Sequence, residues 1–569
     1  MQNITNPYRR IFQSLKSIYD KKTKVYEDIR DLLAPGTGMF SQDYDMENQT
    51  INYTKQLDSE PSTYMDTTVA GLYGGLINPA SRWFDLTLVK SNKYQNMDLT
   101  AIYQALELSK EFLYAVFTKS NFYSSMRSVL AEWLKYGIGV MLVEERDYDF
   151  IHFNPLTVGE YYLGINSDGK YTKLARTFQL TADQMVSNFG YNNVSEVVRD
   201  AYKAGNYETK FKVYHLICEN NNLDNLVSSR FKFVDLYWSD NIENSNKYLR
   251  VSGFVSNPIV VFSWERKNLR TIYPIGIGEK MLGDVRELQY TVKCLNINKS
   301  YLANPALALH TSLGKKPVLP GSRFYTDQDP TKVASEIFRV NPHIQELEDS
   351  RARLLDKIRK MSLADLLLIF AQQQKNNMTA REVAAIAQEQ MTLLAPIYLQ
   401  AKDGLQALFD RVIDICVRRG AFPQVEGVDY RDIDIMFLST IAKAQRIAEV
   451  GSIQDLIMYL TALAQIDQSA LDYINGDAIV IDVAERLGNV SKIRSPEEVA
   501  AIRQQRAEQQ NAIFEQQMRA EQMKVAKDAS KAKIEPNNLL GQEVMQQGGT
   551  IPEDPKVTLE REKMQRGTM

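Results

Sequence analysis

Two long helical segments flank a short segment that is rich in proline and glycine. Between Gly278 and Ala303 only Gly283 interrupts a helix-forming composition, and IQELEDSRARLLDKIRKMSLADLLLIF resumes it after residue 343. At a rise of 1.5 Å per residue, the first helix would extend about 40 Å. The segment between the helices contains five prolines, which predict turns and short strands. We therefore expect an antiparallel helical hairpin with a small module at its tip.

Another long helix is predicted over residues 380–420. Thr379 and Glu382 form a T-x-x-E capping box, in which each side chain binds the other residue's backbone N–H. Apolar residues then recur at every third or fourth position. Pro396 lies inside this helix, and we expect it to bend the rod because its ring crowds the preceding turn. The preceding AQQQKNN has no periodicity and predicts a loop.

The rest of the chain indicates an α+β fold that is mainly helical. Residues 1 to about 140 are predicted to be mainly helical, including SEPSTYMDTTVAGLYGGLINPASRWFDLTL. From about 140 to 273, short alternating runs indicate antiparallel strands, with some helix around 181–205. DYRDIDIMFLST, after residue 428, predicts a strand. Helices are predicted beyond it.

Composition and charge exclude several classes of protein. The chain has 569 residues, with 67 Lys and Arg against 70 Asp and Glu. It therefore lacks the broad positive field that holds nucleic acid tightly. Three scattered cysteines favour a reducing compartment. The apolar stretch between Asp66 and Arg82 is interrupted and falls short of the roughly 20 residues that span a bilayer. We expect a soluble, cytoplasmic protein with no membrane contact.

A glycine-rich stretch offers a weak signal for nucleotide binding. GIGEK, at residues 276–280, contains the glycines and lysine of a phosphate-binding loop. Such a loop needs G-x-x-x-x-G-K-[ST] directly after a buried strand, and Met281 stands where the hydroxyl is required. We interpret GIGEK as the entry to a helix.

Two other patterns could indicate metal sites. His215 and Cys218 have H-x-x-C spacing, but no second ligand pair follows. Three acids, Asp429, Asp432 and Asp434, could hold the metals of a nuclease, although their alternation with isoleucine describes the wet face of a strand. We therefore predict no catalytic residues, no metal site and no cofactor.

One polarity pattern remains, since the first hairpin helix and the tip module carry more bases than acids. Either this is a solvated helix face, or it meets something anionic such as DNA or an acidic partner. The bases are Lys280, Arg286, Lys293, Lys299, Lys315, Lys316 and Arg323.

The order of these parts resembles the portal proteins of tailed bacteriophages, and most closely the head-to-tail connectors of short-tailed phages. The likeness runs from about residue 60 to 507. NMTAREVAAIAQEQMTLLAPIYLQ carries the most specific motifs, the Met-Thr-Ala-x-Glu-Val start and the Leu-Leu-x-Pro kink. The other matching stretches are TTVAGLYGGLINPASRWFDLTL, GIGEKMLGDVRELQYTVKCLNINKSYLANPALAL and GDAIVIDVAERLGNVSKIRSPEEVAAIRQQR.

The resemblance implies a ring of about twelve subunits around a channel for double-stranded DNA, at one vertex of the capsid. A terminase motor would package DNA through the channel, and the DNA would later be ejected through it. The implied parts are a wing, 1–273, with a helical N-terminal part and a β-rich part at 140–273; stem helix 1, 274–303; a clip, 304–342; stem helix 2, 343–370; a tunnel loop, 371–379; the kinked wing helix, 380–420; a crown, 421–535; and a disordered tail, 536–569.

The resemblance also assigns roles to individual residues. The tunnel loop, Gln372, Gln373, Gln374, Lys375, Asn376 and Asn377, would touch the DNA. Basic residues of the stem and channel would be Lys280, Arg286, Lys293 and Lys299. Lys315, Lys316 and Arg323 of the clip would dock the motor and the tail, while Thr379, Glu382 and Pro396 would cap and bend the helix behind the loop. A loop with one lysine among amides would contact DNA weakly and without sequence preference.

The implied partners are further copies of the chain, double-stranded DNA, the large terminase subunit, the major capsid and scaffolding proteins and the tail adaptors. The protein would belong to the virion and pass through the host cytoplasm during assembly. Two alternatives remain open: a tail or collar adaptor or scaffold protein without a channel, and a packaging ATPase or nuclease. The second lacks its phosphate loop and clustered metal ligands.

Overall fold

The computed structural model describes most of the chain. The described residues are 6–40, 55–88, 99–146, 150–221, 226–240, 248–303, 307–309, 329, 334–336, 344–366, 380–422, 430–437, 453, 456–462, 475–487 and 496–531. The chain divides into two compact units, Met1–Val490 and Ser491–Met569. Among the described residues, no helix is both long and apolar enough to cross a bilayer.

The N-terminal part is helical, as predicted, apart from one strand. The elements are α1 Pro7–Leu33, α2 Glu60–Leu76, β1 Phe84–Leu88, α3 Leu99–Lys119 and α4 Phe122–Tyr136. Asn6 caps α1, because its side-chain oxygen accepts the Tyr8 N–H at 3.0 Å. The mainly helical prediction is wrong at β1, whose antiparallel partner lies about 350 residues later in the chain.

The predicted β-rich region contains two antiparallel sheets and two short helices. The elements are β2 Ile138–Arg146, β3 Phe150–Leu156, β4 Tyr161–Ile165, β5 Tyr171–Thr181, α5 Ala182–Phe189, α6 Glu196–Lys203, β6 Lys210–Glu219, β7 Phe233–Ser239, β8 Arg250–Phe254 and β9 Ile259–Ser263. One sheet has the order β4-β5-β6-β7-β8 and the other the order β3-β2-β9. The antiparallel strands and the helix around 181–205 are confirmed.

The predicted hairpin is present. It consists of α7 Ile277–Ala303, the paired strands β10 Leu307–Leu309 and β11 Ala334–Glu336, and α8 Ile344–Met361. The Lys357 ammonium lies 2.6 Å from the Asp284 carboxylate, and Lys299 lies 3.0 Å from Glu348. These two ion pairs join the early part of one helix to the late part of the other, so the helices are antiparallel.

The second hairpin helix is interrupted within its predicted range of 343–370. α8 ends at Met361, the chain turns at Ser362 and Leu363, and residues 364–366 are helical again, while 367–370 lie outside the described residues. Leu363 has a φ of 65°, a conformation that is costly for a branched side chain. The Thr68 hydroxyl of α2 donates to the Ser362 carbonyl at 2.8 Å, so packing against α2 fixes the turn.

The long helix after the loop is α9 Ala380–Arg418, which continues through Pro396. Its bend at the proline stays a prediction. The next elements are β12 Ile433–Phe437, helical residues 456–462 and α10 Gly476–Leu487. β12 pairs with β1, with Phe84 opposite Phe437 and Leu88 opposite Ile433. The second unit contains α11 Pro496–Lys531.

An aromatic cluster joins these distant segments in the core. Trp83 stacks on Phe122 with ring centroids 5.9 Å apart, and Phe409 of α9 packs edge-on against Phe84 at 4.8 Å. All four side chains are buried. Such pairs stabilise a fold beyond the area that they bury. The second half of α9 is therefore part of the same core as α4 and β1.

Candidate functional site

The hairpin leaves the core at a point of close backbone approach. A Cβ on Gly276 would lie 2.3 Å from the Gly137 nitrogen, and one on Gly278 would lie 2.2 Å from the Lys135 carbonyl oxygen. No side chain fits at such distances, so both glycines of GIGEK serve packing between the start of α7 and the end of α4. GIGEK is thus the entry to a helix, as the sequence indicated.

Polar contacts with α1 and with the chain before α2 hold α7. Lys22 lies 2.9 Å from the Glu279 carboxylate. The Gln289 amide oxygen accepts the N–H groups of Leu57 and Asp58 at 2.7 and 2.9 Å, while its nitrogen donates to the Asp58 carbonyl at 2.9 Å. The buried amide makes three hydrogen bonds to Leu57 and Asp58, so it constrains both the position and the rotation of α7.

The other hairpin helix is anchored beside it. Arg351 of α8 donates to the Asp58 carboxylate at 2.8 Å and to the Glu60 carboxylate at 2.9 Å. Asp58 therefore touches both helices of the hairpin, since its backbone binds Gln289 and its carboxylate binds Arg351. Asp58, which lies just before α2, thus holds the hairpin near the middle of both helices.

The predicted basic residues of the stem have different surroundings. Arg286 pairs with Asp28 of α1, and Lys299 pairs with Glu348 of α8. Lys280 and Lys293 are exposed, and within the described ranges neither forms an ion pair. The Lys299 pair joins the two hairpin helices and the Arg286 pair joins α7 to α1, while Lys280 and Lys293 leave positive charge on the surface of α7.

Several predicted site residues lie outside the described residues. These are the tunnel-loop residues Gln372, Gln373, Gln374, Lys375, Asn376 and Asn377, the cap Thr379, and the clip residues Lys315, Lys316 and Arg323. Glu382 and Pro396 lie in α9, where Pro396 is exposed and the Glu382 side chain is outside the described set.

An apolar line on the outer face of α7 was not predicted from the sequence. Tyr290, Ile297 and Tyr301 keep 68%, 45% and 53% of their surface exposed. Cys294, which is half-buried, lies between them at helical spacing. The spacing of these residues is visible in the sequence, but apolar residues that repeat along a helix usually indicate the face that packs into the core.

The buried Arg411 attaches the last part of α9 to the three-stranded sheet β3-β2-β9, which we call the small sheet. Arg411 donates to the Ser256 hydroxyl at 2.5 Å and to the Val143 carbonyl at 3.3 Å. Burial lowers the pKa of Arg411 to about 10. Since the group is still charged at neutral pH, its hydrogen bonds tie α9 firmly to β2 and to the loop before β9.

An ion pair extends this attachment. Glu145 of β2 accepts Arg419 Nε at 2.7 Å and Arg418 Nη1 at 3.0 Å. Burial by itself would raise the pKa of Glu145, but the hydrogen bond from Arg419 and the charge of Arg418 outweigh it and the pKa is lowered. The last turn of α9 is therefore fixed, while its first turn lies next to the predicted tunnel loop in the chain.

The H-x-x-C pattern forms no metal site. Arg176 Nε donates to His215 Nδ1 at 2.9 Å, and His215 Nε2 lies 2.6 Å from the Asp235 carboxylate, which this network assigns as its acceptor. The imidazole stacks on Tyr237, with centroids 4.0 Å apart. Burial lowers the pKa of His215 despite the nearby Asp235. Cys218 lies three residues further along β6, so it points to the opposite face of the sheet.

The acidic pattern is also structural. Asp434 is exposed on β12, where its carboxylate accepts the Ile435 N–H at 2.9 Å, while Ile435 is buried. Asp432 lies in the turn before the strand, and Asp429 is outside the described residues. In the described part of the chain, no group of three or more His, Cys, Asp or Glu could hold a metal ion.

The chain is similar to proteins that connect the head and the tail of bacteriophages. A family model described as "Bacteriophage head to tail connecting protein" matches residues 5–493. A portal protein of Salmonella phage epsilon15 is 29% identical over 521 residues, which cover 88% of this chain and 92% of that protein. A probable portal protein of Bordetella phage BPP-1 is 27% identical over 500 residues, covering 86% and 88%.

Among the solved structures that align is a chain from the virion of a native gene transfer agent particle. It is 10% identical, and the alignment covers 65% of this chain and 91% of that one. The TM-score of 0.27 is too low to support a shared fold.

Proposed function

Because this chain belongs to the family of bacteriophage head-to-tail connecting proteins, we propose that its copies close into a ring whose axial channel passes double-stranded DNA. The portal function follows from the family: DNA is packaged and later ejected through the channel, and tail proteins attach to it. The family match over residues 5–493 carries this conclusion. The resemblance predicted from the sequence is confirmed, and the family is structural, not enzymatic.

In this proposal the hairpin of α7 and α8 is the stem, residues 304–342 are the clip and residues 371–379 are the tunnel loop. Asp58 anchors both hairpin helices, α7 through Gln289 and α8 through Arg351. These contacts support a rigid stem that is held by the wing. The pairing of β12 with β1 favours a wing that extends to residue 437, with the crown after it.

Contact with DNA in the channel would be weak and independent of sequence. The chain has a formal net charge of −3, and Lys280 and Lys293 are exposed bases of the stem without an ion pair among the described residues. A few cations per subunit attract the duplex, and a dense basic lining would hold it in place by counterion release. DNA can then slide in either direction.

The further partners of this proposal are the terminase motor, capsid and scaffolding proteins, and tail adaptors, with the ring at one vertex of the virion after assembly in the host cytoplasm. The family implies capsid, terminase and tail partners. Labelling virions with an antibody against this chain should mark a single vertex per particle.

Negative-stain electron microscopy of the purified chain tests the ring. We expect closed particles of about twelve subunits, with an axial hole wide enough for a DNA duplex, because identical head-to-tail contacts must close. Poreless particles or monomers, even when the phage's scaffolding protein is co-expressed, would overturn the proposal and favour an adaptor without a channel.

A further inference from the structure

The outer face of α7 exposes several apolar side chains to solvent, which is unfavourable unless another surface covers them. Tyr290, Cys294, Ile297 and Tyr301 are spaced four, three and four residues apart, so they form one line along the helix. The two tyrosines and the isoleucine are about half to two-thirds exposed. A continuous line of large apolar side chains on a surface helix marks a contact surface. We call these four residues the outer line of α7.

The other faces of α7 are already occupied. Lys299 and Asp284 point toward α8, where they pair with Glu348 and Lys357. Gly278 packs against the end of α4. Arg286 lies on the same face as the outer line, four residues before Tyr290, and pairs with Asp28 of α1, so α1 lies beside this face just before the outer line begins. Among the described residues, the chain itself therefore leaves the outer line uncovered.

The neighbouring helix α8 has a line of exposed residues with the same spacing, but these residues are short or polar. Gln345, Asp349, Ala352 and Asp356 of α8 are all exposed and are also spaced four, three and four residues apart. We call them the outer line of α8. Its side chains are short or polar, with the small Ala352 near its centre. Tyrosine hydroxyls from an apposed helix can donate to its carboxylate and amide oxygens, and Ala352 permits close approach.

We propose that the outer line of α7 in one copy of the chain packs against the outer line of α8 in the next copy. This inference rests on the proposed ring. Two unlike surfaces on one chain give a head-to-tail contact, which propagates around an axis until it closes. Two like surfaces would give only a twofold dimer.

The heights of the two lines agree with this contact. The ion pairs Asp284–Lys357 and Lys299–Glu348 bracket the hairpin and place Cys294 level with the middle of α8, near Ala352. Rotation about a ring axis that runs along the hairpin keeps every residue at its own height. Cys294 of one copy would therefore face the region of Ala352 in the next.

Cysteine crosslinking tests the contact without disrupting it. Ala352→Cys adds a thiol opposite the native Cys294. The other cysteines, Cys218 and Cys416, are buried, and burial raises the pKa of each to about 12, so they remain unreactive. Mild oxidation of the assembled A352C protein should give a ladder of dimers, trimers and larger species on a non-reducing denaturing gel, and reductant should collapse it.

The controls separate this contact from others. The double variant A352C/Cys294→Ser should give no ladder, and nor should Ser128→Cys, which places an exposed thiol on α4. Asp349→Cys, one turn away on the outer line of α8, allows for a small shift in height and should give the ladder if A352C does not.

Each remaining outcome overturns the inference in a distinct way. Closed rings by electron microscopy with no ladder from either cysteine variant would place the outer line of α7 against something other than α8. Dimers from the wild-type chain through Cys294 alone would indicate a twofold contact between two α7 helices. Absence of rings would overturn the proposed function itself, and the inference with it.

Discussion

Gly404 of α9 packs directly against the ring of Phe262. A Cβ at residue 404 would lie 2.6 Å from the Phe262 Cδ1 atom, closer than real side chains approach. Phe262 lies on β9 and is fully buried, so it has no space into which to move. Contact between α9 and the small sheet at this point therefore depends on the absence of a side chain.

We expect Gly404→Ala to destabilise the protein. Alanine favours a helix by about 1 kcal/mol over glycine, but overpacking a rigid core costs about 1–3 kcal/mol, and the second effect should dominate. Denaturant unfolding measures the change. Gly74→Ala is the matched control, since a Cβ added to that helical glycine of α2 would meet nothing within 4 Å and the variant should gain stability. A stabilised G404A variant would contradict the close contact.

Because of Glu132, the free energy of unfolding should fall as the pH rises from about 4.5 to about 7. Burial raises the pKa of Glu132 from its usual 4.5 to about 7, against hydrogen bonds from Thr157 and Val158. In that window the folded state holds a proton that the unfolded chain has released, so raising the pH favours unfolding. The full effect is on the order of 3 kcal/mol.

Glu132→Gln isolates this effect. The glutamine oxygen can accept the Val158 N–H, which lies 3.1 Å from the carboxylate, while its nitrogen donates to the Thr157 hydroxyl oxygen, 2.8 Å from the carboxylate. The free energy of unfolding measured at pH 5 and at pH 7.5 should differ less in E132Q than in the wild type. An equal difference in the two proteins would assign the pH dependence to other groups.

Thr68→Val should loosen the turn at the end of α8. The Thr68 hydroxyl donates to the buried Ser362 carbonyl, and valine keeps the shape but leaves that carbonyl without this donor, which costs about 1–3 kcal/mol. Hydrogen exchange at the end of α8 should increase. Thr67→Val is the control, because within the described part of the chain the Thr67 hydroxyl bonds only to the Thr63 carbonyl of its own helix. Equal exchange in both variants would exclude the Ser362 contact as the cause.

Reversing charge in the clip should impair docking of the motor or the tail and leave the ring intact. Lys315→Glu, Lys316→Glu and Arg323→Glu each replace attraction to an acidic partner by repulsion. Packaging assays and electron microscopy of the same preparations measure the two properties. Normal packaging by these variants would count against the clip assignment.

Replacing the proline of α9 should straighten the helix. Pro396→Ala restores an N–H for the carbonyl four residues earlier and removes the ring that crowds that turn. A density map of the assembled variant should show an altered path for residues 371–379. An unchanged path would mean that the proline does not set the position of the loop.

The sequence predicted those parts of the fold whose causes are local. The run from Gly278 to Ala303 carries its helical signal within itself, and so does the alternation of the strands after residue 138. β1 was missed because its hydrogen bonds go to β12, far along the chain. The turn at Leu363 was missed because Thr68 of another helix fixes it.

The candidate site was predictable to a smaller degree, for a related reason. Lys280, Arg286, Lys293 and Lys299 were recognisable as bases, but not which of them pair with acids from other helices. The outer line of α7 has the spacing of a core face, and only the packed structure leaves it on the surface. Which side of a helix is covered depends on its neighbours.

The pairing of β1 with β12 turns the chain between them into a closed circuit. The segment from residue 88 to residue 433 departs from one ladder of backbone hydrogen bonds and returns to the same ladder. Adding or deleting whole helical turns at matching heights of α7 and α8 would lengthen or shorten the hairpin without moving either end of the circuit. During evolution the length of the hairpin can therefore change to suit a new partner, while the pairing of β1 with β12 stays the same.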